Sequence, residues 1–283
     1  MTAATTWSGS LHLSFRLLPE EKRSGHVEPF LSAHGKTKDQ VLASLPYDAA
    51  RAKGGGGSPN ARRYRDGKQL YTTAGLLHEE DGVVHVTPLG QAVMRWLPHL
   101  TEANAPVLGS YAVYSLAACQ LVNPTRTGRS YADGVEVFPC SFIWRAMLAL
   151  DDKISSEELN RAVFKSTDEA SLSDAIDSIA QARDEGDPAV MGDPVITGSS
   201  PNDRIISWIS IASFGYTLIA DKAADAEEGG TYYRIRPAAR RVVSRAAAVR
   251  FRHRSDFTSV GEYVRYVSRM AGLPQPTPLA AAA

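Results

Sequence analysis

Residues 75–97 read GLLHEEDGVVHVTPLGQAVMRWL. Gly75 suits the left-handed C-cap of a preceding helix. A charged turn follows, then four residues of strand-like alternation. Pro88 then opens an amphipathic helix. The stretch predicts a hairpin over 77–87, with a helix over 59–74 before it and a helix over 88–98 after it.

A second copy of this pattern lies downstream. SPNARRYRDGKQLYTTAG at 58–75 and SPNDRIISWISIASFG at 200–215 both begin Ser-Pro-Asn and end in glycine. In each, Ser caps a helix and Pro fits its first turn. VVHVTPLGQAVMRWL after Gly75 is matched by YYRIRPAARRVVSRA after Gly215, across a longer acidic loop. Upstream, VEPFL at 27–31 parallels VFPCSF at 137–142. The sequence therefore predicts two similar units.

The first unit spans 20–99, with helices near Pro29 and over 36–52, 59–74 and 88–98. A helical bridge and linker covers 100–136, its helix over 102–122. The second unit spans 137–250, with helices near 140–150, 155–164, 169–184 and 201–213, a hairpin over 216–236 and a helix from 237. A C-terminal helix and tail cover 251–283, the helix over 258–271. The expected fold class is mainly α with short β-hairpins, an α+β arrangement.

GLLHEEDGVVHVTPLGQAV resembles the winged-helix family: a helix ending in Gly-Leu-Leu, a charged turn, a strand, then Thr-Pro-Leu-Gly and another helix. The resemblance implies tandem winged helix-turn-helix domains. With the link NPTRTGRSYADGVEVFP, the arrangement looks like the DNA-recognition regions of restriction endonucleases and phage-defence proteins.

Lys+Arg and Asp+Glu each total 31, so a chain-wide basic signature for nucleic acid is absent. The charge is unevenly spread. Residues 151–190 hold eleven acids and four bases, whereas 230–270 hold ten arginines and two acids. A local basic surface is thus compatible with the neutral total. Cys119 and Cys140 make no CxxC, which fits a reducing interior. No apolar run reaches the length of a membrane span, and MTAATTWSGSLHLSF lacks the pattern of a secretory signal. A cytoplasmic location is expected.

Within 59–74, Arg62, Arg65, Gln69, Thr72 and Thr73 fall on one broad helical face, opposite Arg63, Leu70, Tyr71 and Ala74. Arginine offers bidentate donors to guanine and glutamine an amide pair to adenine. Lys68 is placed to reach a phosphate. The competing reading is a solvated amphipathic helix. His78 and His85, on the hairpin, are either phosphate neighbours or ordinary surface histidines. In 201–213, Asn202, Arg204 and Ser207 are the polar candidates, with Ser210 beside them. The apolar remainder of that helix suits weak DNA reading, partner packing or core burial. The C-terminal arginines, Arg234, Arg236, Arg240, Arg241, Arg245, Arg250, Arg252 and Arg254, either track a phosphate backbone or are neutralised by the acidic 151–190 segment. Arg126 and Arg129 form another phosphate clamp or a solvated loop.

Catalytic signatures are sparse. KGGGGSPN at 53–60 lacks the GxxxxGK[ST] pattern and reads as a linker. Glu20-Glu21-Lys22 and Asp151-Asp152-Lys153 match the Glu/Asp-x-Lys pair of metal-dependent nucleases only locally, the second in an expected turn. No HExxH, HxxxH or GxSxG occurs. Trp96, Trp144 and Trp208 sit in apolar helical patterns and read as core anchors. No catalytic residue, metal ligand or cofactor is assigned. The leading expectation is a DNA-binding protein acting on double-stranded DNA, as the recognition or sensing component of a restriction or phage-defence system, beside a nuclease or motor subunit and with no membrane partner. The alternatives are a metal-dependent nuclease with a diverged motif, and a winged-helix assembly subunit of a larger complex.

Overall fold

Thr37 both caps a helix and bridges to the first hairpin. The computed structural model describes residues 27–45, 64–65, 67–68, 71–96, 105–122, 134–197, 208–209, 211–213, 217–221, 231–253 and 256–270. Helix α1 (Glu28–Leu31) carries Pro29 in its first turn and leads toward Thr37. Thr37 then caps α2 (Lys38–Ser44) in a capping box. Its hydroxyl accepts from Gln40 N (3.4 Å), and its own N–H donates to Gln40 Oε1 (2.8 Å). The expected 36–52 helix is therefore seen as Lys38–Ser44, with Leu45 extended; residues 46–52 lie outside the described residues.

Helical residues 64–65, 67–68 and 71–73 lead to Gly75, whose φ is +76°. The hairpin follows as β1 (Leu77–Glu80) and β2 (Val83–Val86). Asp81 and Gly82 form its two-residue turn with φ of 52° and 76°, as the right-handed strand twist requires. The register pairs Leu77 with Val86 and His78 with His85. Thr37 bridges antiparallel to Val83, so β2 lies between this single bridge and β1. The Thr87 hydroxyl donates to Gly75 O (2.7 Å) and accepts from Gly90 N (3.1 Å). It thereby ties the hairpin's base to the start of α3 (Pro88–Trp96).

Helix α4 (Ala105–Ala118) follows, and α5 (Pro139–Ala149) begins on a proline. Asp151 and Asp152, both left-handed, turn the chain into β3 (Lys153–Ser155). Ser155 repeats the role of Thr37. It caps α6 (Ser156–Arg161) in a capping box with Glu158 and pairs with Tyr232 of β5 (Tyr232–Ile235). After the 3-10 turn Val163–Lys165 comes α7 (Glu169–Glu185), capped by Asp168 and closed by left-handed Gly186. Helical residues 208–209 and 211–212 precede β4 (Leu218–Ala220). The sheet order is β3-β5-β4, all antiparallel. Strand β3 was not expected: its three residues are too short to alternate visibly. The expected 155–164 helix divides into α6 and a 3-10 turn, and the helix from 237 begins as a 3-10 turn before α8 (Arg240–Ala247).

Helix α9 (Val260–Arg269), near the end of the chain, packs on β1, α3 and α4. Tyr263, Val264 and Val267 are fully buried there. Each contributes roughly 1.5–3 kcal/mol through burial. Gly75 permits the approach, because a Cβ there would stand 2.8 Å from Val267 Cγ1 and 2.9 Å from Ser268 N. The core is continuous across the bridge, with Trp144, Phe142 and Phe164 among its largest buried side chains. Trp208 is also buried, whereas Trp96 is half-buried. Burial pushes the Cys119 thiol up to about 12, so it remains protonated and packs as a small apolar group. Among the described residues, no helix is long and apolar enough to cross a membrane.

Candidate nucleic-acid interface

Helical residues 64–65, 67–68 and 71–73 are gripped on two sides, which takes Thr72 and Thr73 out of the face expected to read DNA. Phe30 stacks on Tyr64 at 6.0 Å and meets Tyr71 at 5.1 Å. Gly67 lies so close to the Phe30 ring that a Cβ would fall 2.5 Å from it. On the far side, Thr73 O accepts from the Cys119 thiol (3.1 Å) and the Tyr263 hydroxyl (3.4 Å). Thr72 and Thr73 are consequently 5% and 7% exposed, and Thr72 donates back to Lys68 O. The two threonines are core positions. The second packing surface comes from Cys119, just after α4, and Tyr263 of α9.

Arg65 remains on the exposed side. Lys68 is half-exposed and pairs with Glu79 at 2.8 Å; the Tyr64 hydroxyl donates to the same carboxylate at 3.0 Å. Burial alone would raise the Glu79 carboxyl, but Lys68 and Tyr64 reverse this and hold it below its usual range. Burial and then the Glu79 charge push the Tyr64 phenol well up. Lys68 thus tethers the helix to the hairpin. Arg62, Gln69, Asn202, Arg204 and Ser207 lie outside the described residues, as do Arg126, Arg129, Arg254 and 53–60.

The C-terminal arginines divide. Arg234 pairs with Asp221 (2.7 Å) and Arg240 with Asp152 (2.6 Å). Arg252 lies over Phe257 (4.5 Å) and Tyr266 (5.6 Å), pairs with Glu262 (3.0 Å) and donates to Asp256 O. It fastens Asp256 and Phe257 to α9, a role that competes with the phosphate contact expected of it. Arg241 and Arg245 share the outer face of α8, and Arg250 follows just beyond; all three are exposed and make no ion pair among the described residues. From the acidic 151–190 segment, Asp152 pairs with Arg240. Half of the segment's other acids stand on α7, where Asp174, Asp177, Asp184 and Glu185 are exposed, as a solvated helix requires.

On the hairpin, His78 and His85 are cross-strand partners with rings stacked at 5.2 Å. His78 is 7% exposed and so does not itself face a phosphate; His85 is half-buried. His34, which sequence reasoning did not single out, meets His85 edge-on at 5.9 Å. The pairing of 78 with 85 was readable from the two-residue turn, whereas His34 arrives through the long-range contact of its loop with β2. Among the described residues, no group of three or more His, Cys, Asp or Glu side chains is placed to hold a metal ion.

No protein-family model matches the chain, and no curated protein matches it significantly. In fold it is similar to the BpuJ1 endonuclease binding domain, solved in complex with pyrene- and phenanthrene-modified DNA. The TM-score is 0.54 at 10% identity, over 86% of this chain and 90% of that one. Similarity at this level speaks for the fold.

Proposed function

We propose that the protein recognises double-stranded DNA through two winged-helix units. It would act as the recognition or sensing component of a restriction or phage-defence system, beside a nuclease or motor subunit. The observation that carries this reading is the likeness over most of both chains to an endonuclease binding domain solved with DNA. Strand order supports the winged-helix assignment. In the second unit a leading strand pairs with the last strand of the hairpin, giving β3-β5-β4, and in the first the Thr37–Val83 bridge repeats that order in miniature. Arg65, with Arg62 and Gln69 on the expected outward face, would address base edges; Arg241, Arg245 and Arg250 would contact phosphates. Thr72 and Thr73 take no part.

Selection from a pool of random duplexes tests this reading. Enrichment of a defined sequence supports recognition. Retention of no duplex at low salt rejects it and favours an assembly subunit.

A further inference from the structure

Helix α9 has two unlike faces. Tyr263, Val264 and Val267 are fully buried, whereas Glu262, Arg265, Tyr266 and Arg269 form an outer stripe at i, i+3, i+4 and i+7. Two members of the stripe are committed to the segment before the helix. Glu262 accepts from Arg252 Nη2 (3.0 Å), Thr258 N (2.9 Å) and Thr258 Oγ1 (3.0 Å), and the Tyr266 hydroxyl accepts from Arg252 N (3.1 Å). The other two, Arg265 and Arg269, are exposed and make no ion pair among the described residues.

Their placement is fixed by the docking of α9. Tyr263 anchors the helix to Thr73 and Gln120. Arg265 Nη1 and His78 Nε2 lie 3.2 and 3.6 Å from the point where a Cβ on Gly261 would stand, so glycine there makes room for the guanidinium beside β1. Arg269 follows one turn later, about 6 Å along the axis. Like charges at this spacing repel and weaken a helix. Arg269 has a local reason for its charge, since it stands in the last turn, where a cation suits the negative end of the helix dipole. Arg265 is a turn too early for that. The acids nearby are already engaged: Glu262 holds Arg252, and Glu80 of β1 turns to His78 Nε2 (3.5 Å). At the other edge of the stripe, Arg250 stands exposed two residues before Arg252. A basic surface thus runs from Arg250 across α9 to the side of the first hairpin.

We propose that Arg265 and Arg269 form a ridge that binds the phosphate backbone of duplex DNA alongside the β1–β2 hairpin. The inference rests on the reading above and extends it, because α9 stands outside both repeated patterns and yet joins the DNA-facing surface. A polyanion relieves the repulsion between the two guanidinium groups, and their contact with it releases counterions condensed on the duplex. Contacts of this kind position the duplex and carry no base preference.

The test is anisotropy of two labelled duplexes of unrelated sequence with the full chain, across a salt series. Arg265→Gln and Arg269→Gln should each lower the slope of log K against log salt by about one. Each should weaken binding roughly eightfold near 0.1 M salt, equally for both duplexes and with Tm unchanged. Arg265→Lys and Arg269→Lys keep the charge and should keep the slope. Asp174→Asn, on the exposed face of α7, alters the net charge as much in the opposite sense and should leave the slope as it was. The native slope in both glutamine variants overturns the ridge and leaves the duplex reading standing. An equal and opposite change in Asp174→Asn assigns the effect to overall charge and also overturns it. No duplex binding by the native chain at low salt rejects the reading and the ridge together.

Discussion

The Tyr263 hydroxyl donates to the main-chain carbonyl of Thr73, 190 residues earlier, and accepts from Gln120 N. One phenol thereby joins the helix before the first hairpin, the bridge and the C-terminal helix. Tyr263→Phe removes only the hydroxyl and should cost about 0.5–1.5 kcal/mol. Tyr263→Ala also opens a cavity at a fully buried site and should cost about 3–5 kcal/mol. Because α9 belongs to both halves of the core, urea unfolding of Tyr263→Phe should remain one transition by fluorescence and circular dichroism. Separate transitions for the two units would contradict the shared core.

Acid should weaken the fold through His78. Its folded basicity lies below the ordinary 6.5, chiefly because burial opposes the charged ring. The neutral form is the one that packs, so the unfolded chain binds more protons between the two values. The stability is fully present above about 6.5 and is lost as pH falls from there through the lower folded value. A Tm-against-pH series should fall on that side, and His78→Leu should flatten the fall. An equal fall in His78→Leu would place the acid sensitivity elsewhere.

Arg250 and Arg252, two residues apart, should behave differently. Arg252→Ala removes the ring and carboxylate contacts that fasten α9 and should lower Tm. Arg250→Ala should leave Tm unchanged, weaken all duplexes alike and reduce the salt slope by about one. Thermal melting and a salt series on both variants separate the roles; a lower Tm in Arg250→Ala would refute this division.

Base reading should reside at Arg65 and not at the threonines. Arg65→Ala should cost roughly 1–3 kcal/mol on a preferred duplex and relax its sequence preference. Thr73→Val, inside the core, should change Tm and leave the relative affinities of different duplexes as they were. Altered sequence preference in Thr73→Val would restore the threonine face to the site.

The hairpin, its Asp81-Gly82 turn and the proline-led helix after it were legible because each is a local matter of backbone preference and alternation. Strand β3 was not: Lys153–Ser155 becomes a strand by pairing with residues almost eighty positions away. The burial of Thr72 and Thr73 was hidden similarly, since their second neighbour, Tyr263, comes from the far end of the chain. Arg252 was counted among the diffuse cations because its partners, Phe257, Glu262 and Tyr266, are assembled only when α9 forms. His34 joined the candidate surface through a loop contact that no spacing announces.

The central claim, that this fold serves to hold duplex DNA, is tested most directly by fluorescence anisotropy of a labelled duplex across a salt series. The account predicts binding at about 50 mM salt, with log K falling linearly against log salt by close to one unit of slope per phosphate contact. Arg241→Ala, Arg245→Ala and Arg250→Ala should each lower that slope. Absence of duplex binding at low salt, or binding whose strength ignores salt, would contradict it.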